Sequence, residues 1–458
     1  MDVIAAIATG AAPTAIGVVR VSGDGCFDLC GAVFRAESGR PFSALEARNM
    51  TYGRMLDSRG RCVDRGLAVR FPGPHSYTGE DCAEFHCHGS PVVLREVLSA
   101  LFAAGARQAA PGEFTRRAFL NGRLDLTEAE AVADLIDAET AAAARNAAAQ
   151  LGGSLRRDFE AVYDRLLDMT SQFYAVVDYP DEDIEDLGPA ELAGALRSCG
   201  QVLDRLLDTC QRGRVLKSGV RTAIVGRPNA GKSSLLNALA GYERAIVTDI
   251  PGTTRDTVEE SVLCGGVRLR LIDTAGIRAA SDTVERLGVE RSRLALESAD
   301  LALAVVDAAA GFTREDGEIL RLAARCPRWV LVLNKEDLVP GTVRFPPLPE
   351  DLPAPAASLC LSALDGRGLD GLERAVADLF PEGDAPDGAV LTNARQQEAA
   401  LRARRAIGRA EEALVAGMTA DAVLADAEEA LAALGELTGR TAGEDIVSRI
   451  FQRFCVGK

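Results

Sequence analysis

With 458 residues, 47% hydrophobic and 26% charged, the chain has room for several separately cored domains and the composition of a globular protein, which sets aside fibrous and disordered classes. A formal net charge of −16 excludes indiscriminate nucleic-acid binding, which needs a basic field, but not a local basic groove. No apolar run reaches membrane-spanning length, no basic or Arg/Ser-rich leader follows Met1, and the eleven cysteines are scattered without a C-x-x-C pair; a cytoplasmic location, no membrane association and reduced, mostly buried thiols are expected.

Residues 1–121 alternate short β-rich runs at 3–8, 15–21, 66–71 and 82–88 with Gly- and Pro-rich turns, and carry a helical stretch at 91–104, which predicts an α+β module. Cys82, His86, Cys87 and His88 invite a zinc reading. It is rejected because 86 and 88 share a strand face, Cys87 points to the other, and no second ligand cluster follows.

From Leu124 the texture changes to Ala/Leu-rich helical patterns, to about 177 and again over 189–212, so 122–217 reads as a first helical part. Thr127-Glu-Ala-Glu130 has the spacing of a capping box. Arg116, Arg117, Arg156, Arg157, Arg402, Arg404 and Arg405 are candidates for basic patches facing RNA, although charged helix faces are usually only solvated.

Residues 218–381 hold the densest chemistry. Gly226-Arg-Pro-Asn-Ala-Gly-Lys-Ser233 fits G-x-x-x-x-G-K-(S/T) between an apolar strand at 222–225 and a helix at 235–240. Backbone N–H groups of such a loop cradle phosphates, Lys232 neutralises the terminal ones, and the Ser233 hydroxyl ligates magnesium. Asp273-Thr274-Ala275-Gly276 follows a strand at 267–272; there Asp273 would hold magnesium through water and the Gly276 N–H would sense the γ-phosphate. After the strand at 329–333, Asn334-Lys335-Glu336-Asp337 offers in Asp337 a carboxylate that accepts both guanine N1–H and its exocyclic amine, a donor pair adenine lacks. Ser362 and Ala363 would close over the base. Four motifs in this order and strand phase predict an α/β GTPase, with a hairpin turn at Cys264-Gly-Gly266.

Helical patterns resume over 393–415, 419–437 and 442–454, so 382–458 is a second helical part. The simplest packing joins both parts in one all-α bundle with the GTPase domain inserted into it. Where small signalling GTPases place a water-orienting glutamine, this chain has Ile277. The switch Thr248-Asp249-Ile250-Pro251-Gly252-Thr253-Thr254-Arg255 and Asn229 supply oxygen ligands for a monovalent cation in place of an arginine finger. Asn229 is equally open to a purely loop-stabilising reading.

The phosphate loop GRPNAGKSSLLNAL, the switch TDIPGTTRD, the segment DTAGIR…VERLGVERS and the C-terminal Phe454-Cys-Val-Gly-Lys458 resemble the MnmE (TrmE) family of tRNA-modification GTPases, within the TrmE-Era-EngA-like group. VVRVSG, FPGPHSYTGED and PGEFTRRAFLNGRLDLTEAEAV resemble it too, so the likeness spans essentially the whole chain. It implies a tetrahydrofolate-binding, homodimerising N-terminal domain and a potassium-dependent GTPase. It also implies a heterotetramer with a separate FAD-containing subunit, MnmG (GidA), which with this chain adds a carboxymethylaminomethyl or aminomethyl group to C5 of the wobble uridine of tRNA. The one-carbon donor would be 5,10-methylene- or 5-formyl-tetrahydrofolate.

Carried over by position, the resemblance assigns Asn229, Ala230, Gly231, Lys232, Ser233 and Ser234 to the nucleotide, with Asn229, Thr248, Ile250 and Thr253 on potassium and Ser233 and Thr254 on magnesium. Glu285 would act through water as the general base or its organiser, and Arg20, Glu84, Arg123 and Lys458 would hold the folate. Some relatives carry lysine where this chain has Arg123, which keeps the charge and changes the donor geometry. Cys455 is open to two readings, a nucleophile toward the uracil ring or a one-carbon adduct, or a packed thiol. The alternatives in function are an Era-like switch in ribosome or RNA assembly, which would bring an RNA-binding module not seen in this sequence, and a folate-binding scaffold with a vestigial GTPase, against which intact Lys232, Asp273 and Asp337 argue.

Overall fold

The computed structural model describes residues 2–10, 12–178, 188–242, 260–272, 293–343, 345, 348–349, 351–381, 390–441, 443, 447, 450–452, 454 and 456–457. They divide into two units, one of Met1–Ile136, Ala147–Leu207 and Ala394–Lys458, the other of Asp137–Asn146 and Asp208–Asn393. The fold is multidomain, an α+β module, an all-α bundle and an α/β domain that interrupts the bundle in sequence.

In the first unit the strands β1 (Ile4–Ile7), β2 (Thr14–Ser22), β3 (Phe34–Ala36), β4 (Thr51–Leu56), β5 (Cys62–Phe71), β6 (Cys82–Gly89) and β7 (Arg107–Gln108) form one sheet in the order β3-β4-β5-β6-β2-β1-β7. Helices α1 (Cys26–Val33) and α2 (Pro91–Ala103) pack on one face, where Val19, Val21, Phe85 and Cys87 meet Leu94, Val97 and Leu101. Because side chains alternate along a strand, Arg20, Glu84 and His86 stand on the opposite face, and the β2–β6 register sets Arg20 beside Glu84.

Helices α3 (Glu113–Leu120) and α4 (Leu126–Ile136) lead into the bundle. Here the expected capping box is corrected. Glu128 N–H donates to Asp125 Oδ1 at 2.7 Å and Asp125 N–H to Glu128 Oε2 at 2.8 Å, so the box is Asp125-x-x-Glu128 and Thr127 lies inside α4. Two boxes overlap in the sequence, and the tertiary fold draws Glu130 away: its carboxylate takes Arg395 Nε and Nη2, both at 2.9 Å, and Gln396 Nε2 at 2.7 Å.

After α5 (Ala141–Leu151), the bundle comprises α6 (Ser154–Asp178), α7 (Pro189–Asp208) and the helices Ala394–Val415 and Ala420–Thr438. The last two are joined by a short connection and run antiparallel through an alanine-rich seam that includes Ala399, Ala403, Ala406, Ala410, Ala427 and Ala430, small side chains that permit close approach. Phe451 and Phe454 pack with Leu126 and Phe119, and Val456 bridges to Pro111, which fastens the end of the chain to the module that begins it.

In the second unit α8 (Cys210–Ser218) precedes a six-stranded sheet of β8 (Val220–Val225), β9 (Glu260–Cys264), β10 (Val267–Leu271), β11 (Leu301–Asp307), β12 (Trp329–Asn334) and β13 (Ala357–Cys360), in the order β13-β12-β11-β8-β10-β9. All pairs are parallel except the β9–β10 hairpin, whose Gly265 and Gly266 both take positive φ, as the sequence predicts. Separate apolar layers cover the two faces of the sheet. Among the described residues no helix is long and apolar enough to cross a membrane.

Candidate nucleotide site and a second polar cluster

Parallel strands that end at one edge of a sheet make a crevice there, and β8, β11, β12 and β13 deliver their following residues to that edge. β8 runs into the Gly226–Ser233 loop, which opens α9 (Lys232–Tyr242). Gly226 lies against the next strand, since a Cβ there would stand 2.3 Å from the Val305 carbonyl oxygen. Asn229 takes φ 61° and Gly231 φ 93°, turns in the left-handed region that let consecutive N–H groups face inward.

Lys232 Nζ donates to the carbonyls of Gly226 at 2.8 Å and Arg227 at 2.7 Å, so the ammonium is folded over the mouth of its own loop. Burial lowers its pKa below the ordinary lysine value. Phosphate oxygens would replace those carbonyls and favour the charged form. Ser233 and Ser234 are exposed at the first turn of α9.

Asn334, buried at the end of β12, ties the site together. Its Nδ2 donates to Ala230 O at 3.0 Å and its Oδ1 accepts from Ala363 N–H at 3.0 Å, so one amide spans the phosphate loop and the loop after β13. A Cβ on Gly231 would lie 2.0 Å from that Nδ2, which makes glycine a requirement of the tie as well as of the backbone. Asp337 is half-buried in the 3-10 turn Glu336–Leu338, with Lys335 before it at φ 65°.

Two carboxylates escaped the sequence reading. Asp307, the last residue of β11, pairs with Lys335 Nζ at 2.7 Å and accepts from the N–H groups of Ala309 and Ala310. Burial raises its pKa, but the hydrogen bonds from Lys335 and those two amides bring it net below the ordinary value. Asp316, 1% exposed, holds Arg227 Nε at 2.7 Å and completes a capping box with Thr313. A polar residue ending an apolar strand was the available signal for Asp307. For Asp316 the signal was the Thr313-x-x-Asp316 capping spacing, while its hold on Arg227 has no local mark.

Thr248, Asp249, Ile250, Pro251, Gly252, Thr253, Thr254, Asp273, Thr274, Ala275, Gly276, Ile277, Glu285, Cys455 and Lys458 lie outside the described residues.

On the open face of the first unit's sheet, Arg20 Nε and Nη2 both reach Glu84 Oε1 at 2.9 Å. The guanidinium lies over the rings of Tyr77, at 5.3 Å, and Phe114, at 5.7 Å. His86 Nε2 stands 3.4 Å from Glu84 Oε2 and is buried with no hydrogen-bond partner among the described residues. Arg123 borders the loop that carries Tyr77, its Cγ 3.3 Å from where a Gly79 Cβ would be. Arg20, Glu84 and Arg123 are thus on this side of the module, with two aromatic rings and a histidine that sequence reasoning did not assign to it.

Cys87 is in the core with Phe85, opposite His86, and burial pushes its thiol up to about 12, far from the thiolate a metal needs. Arg117 is a correction to the basic patches: it is buried, with Glu80 at 2.9 Å and Asp2 at 2.8 Å. Arg402 and Arg404 are paired with Glu436 and Asp204.

Two family models match the chain, one described as the MnmE helical domain over residues 126–455 and one as the GTP-binding protein TrmE N-terminus over residues 3–123. A tRNA modification GTPase MnmE from Symbiobacterium thermophilum is 46% identical and covers 100% of this chain and 99% of its own length. A protein of the same description from Heliobacterium modesticaldum is 44% identical over 100% of this chain and 99% of its own. Among solved structures, Aquifex aeolicus Era bound to GDP·AlF4− is 29% identical over 40% of this chain and 65% of its own, with a TM-score of 0.25, too low to carry an argument.

Proposed function

We propose, from the premise that this chain belongs to the MnmE family of tRNA modification GTPases, that it hydrolyses GTP in a potassium-dependent manner and, with an FAD-containing partner, MnmG, modifies C5 of the wobble uridine with a folate one-carbon unit. The observation that carries the nucleotide part is Asn334, whose single amide joins the phosphate loop to the loop that covers the base. Lys232 neutralises the terminal phosphates and Asp337 selects guanine. Ser233 and Thr254 would hold magnesium, which would supply neutralisation of the phosphate charge. Glu285 orders the attacking water in place of the missing glutamine.

Asn229, Thr248, Ile250 and Thr253 are the potassium ligands in this reading. The left-handed φ of Asn229 is also a conformation asparagine favours in any turn, so residue type alone does not decide between the cation and loop roles. Asn229→Gly separates them, because glycine takes the same φ without strain while the side chain that would carry the cation's oxygen ligand is gone. Turnover of the unaltered protein is expected to be at least about tenfold faster in potassium than in sodium at equal ionic strength, roughly 1.4 kcal/mol of barrier. That ratio should fall to about one in Asn229→Gly. Equal rates in the unaltered protein would remove the cation from the mechanism.

The Arg20, Glu84 and Arg123 group suits a reduced folate. Its carboxylate matches the pterin donors, its guanidiniums match the glutamate tail, the rings of Tyr77 and Phe114 accept a flat heterocycle, and His86 Nε2, without a hydrogen bond among the described residues, could take one from the ligand. Lys458 would join them, and Cys455 is either a nucleophile toward the uracil or a packed thiol. We place the domain limits at 1–121, 122–217, 218–381 and 382–458, with homodimerisation through the first and a cytoplasmic location. Nucleoside mass spectrometry of tRNA from a strain lacking the gene should show an unmodified wobble uridine. A normal nucleoside profile would reject the modification role.

A further inference from the structure

A cavity of about 660 Å³ in the first unit contains none of the residues assigned above to nucleotide or folate. One wall is α3, with Arg116, Phe119 and Leu120; the others come from the start of α6, with Arg156 and Glu160, and from Arg440 beyond the helix Ala420–Thr438. The volume is that of a small-ligand pocket, enough for one nucleotide and too confined for a duplex.

Its polar groups are arranged in advance. Glu160 Oε1 takes Arg156 Nε at 3.2 Å and Arg440 Nη2 at 3.3 Å, so one carboxylate holds two guanidiniums side by side. The Tyr163 ring, 4.5 Å from Arg440 Cζ, supports the guanidinium from outside the cavity lining. Both arginine side chains remain 41% exposed, and Leu120 is 55% exposed. Asp125 also lines the cavity, and its buried Oδ2 has no hydrogen-bond partner among the described residues. Three guanidiniums thus line the cavity with two carboxylates, while Glu128 Oε2 stands 3.6 Å from Arg156 Nη1 and Asp164 Oδ1 3.6 Å from Arg440 Nη1, so the wall is charge-paired and a phosphate would compete with these partly exposed ion pairs.

Guanidiniums beside an aromatic and an aliphatic surface in a one-nucleotide space are the chemistry of single-stranded RNA recognition, phosphate on arginine and base on an apolar face. We propose that this cavity receives one unpaired nucleotide of the tRNA, its phosphate on Arg156 and Arg440 and its base against Phe119 and Leu120. The proposal rests on the tRNA reading above and adds the surface of this chain that meets the RNA.

The test uses the full chain and a fluorescein-labelled anticodon stem-loop, followed by anisotropy across a salt series. Arg156→Gln and Arg440→Gln should each weaken binding about tenfold and reduce the salt slope by about one, as loss of a phosphate contact does. Leu120→Trp fills the space from an exposed position and should weaken binding to a similar degree without changing the salt slope. GTP turnover and the urea unfolding midpoint should stay unchanged in Leu120→Trp, which keeps the result readable if an arginine variant is unstable. Binding unaltered in all three variants overturns the cavity while the tRNA reading stands. An unaltered protein that binds no stem-loop, together with a normal wobble nucleoside profile, overturns both. Uridine 5′-monophosphate competing as tightly as the stem-loop would mean that the cavity serves a free nucleotide and overturns the RNA assignment.

Discussion

Asp337→Asn is expected to lose GTP affinity by about 10²- to 10⁴-fold and to gain affinity for xanthosine triphosphate. In the proposed site the carboxylate would accept from guanine N1–H and from the 2-amino group, two hydrogen bonds to a charged acceptor worth about 1.5–3 kcal/mol each. Asparagine offers one acceptor and one donor, so its amide N–H faces the guanine amine and one bond becomes a repulsive contact. Xanthine carries a carbonyl at that position and restores the match, which makes the loss a change of specificity and distinguishes it from damage to the fold. Titration with fluorescent GTP and xanthosine triphosphate, and steady-state turnover of each, provide the check. An affinity for GTP within about threefold of the unaltered protein would show that Asp337 does not touch the base. Asp337 sits in a one-turn segment after Asn334, whose tie to Ala230 and Ala363 is untouched, so the phosphate loop should keep its shape.

Glu130→Ala should lower the stability of the helical unit by about 3–5 kcal/mol, the usual cost of removing one partner from a buried ion pair. Glu130 is 6% exposed and joins α4 to the helix Ala394–Val415 through Arg395 and Gln396. Arg395 also donates from Nη1 to the Glu436 carbonyl at 3.0 Å and from Nη2 to that of Leu437 at 3.2 Å, so it cannot swing to water without releasing the end of the last helix. The measurement is the urea midpoint of the transition followed by far-ultraviolet circular dichroism. The triple variant Glu130→Leu with Arg395→Met and Gln396→Leu should recover most of the loss, because apolar side chains of similar volume leave neither an uncompensated charge nor a buried unpaired amide. GTP binding, which resides in the other unit, should be retained in the single variant below its unfolding transition. A shift of the midpoint worth less than about 1 kcal/mol would show that the cluster is solvated and not structural.

The sequence by itself determined the features that follow directly from backbone conformation and side-chain period. The Gly226–Ser233 loop needs Gly231 for a left-handed turn and Gly226 for close approach to the next strand, the Gly265-Gly266 hairpin needs two positive φ angles, and the strand periodicity of Cys82–Gly89 already put Cys87 and His86 on opposite faces. Whole-chain resemblance added the family, a matter of many motifs in order rather than of any one residue. The helices at either side of the nucleotide domain follow from period and composition, which are local too.

Only the tertiary structure decided which groups meet across long stretches of chain. Asp125-x-x-Glu128 and Thr127-x-x-Glu130 fit the capping pattern equally well in sequence, and the choice between them falls to Arg395 and Gln396, some 265 residues away, which occupy Glu130. Arg117 looks like a surface charge until β1 and the loop before β6 bring Asp2 and Glu80 to it. The hold of Asp316 on Arg227 and that of Glu160 on Arg440 have no local signature. A side chain's charge and the backbone's conformational preference are written residue by residue, whereas pairing and desolvation are properties of neighbours, and neighbours are chosen by the packing of the whole chain.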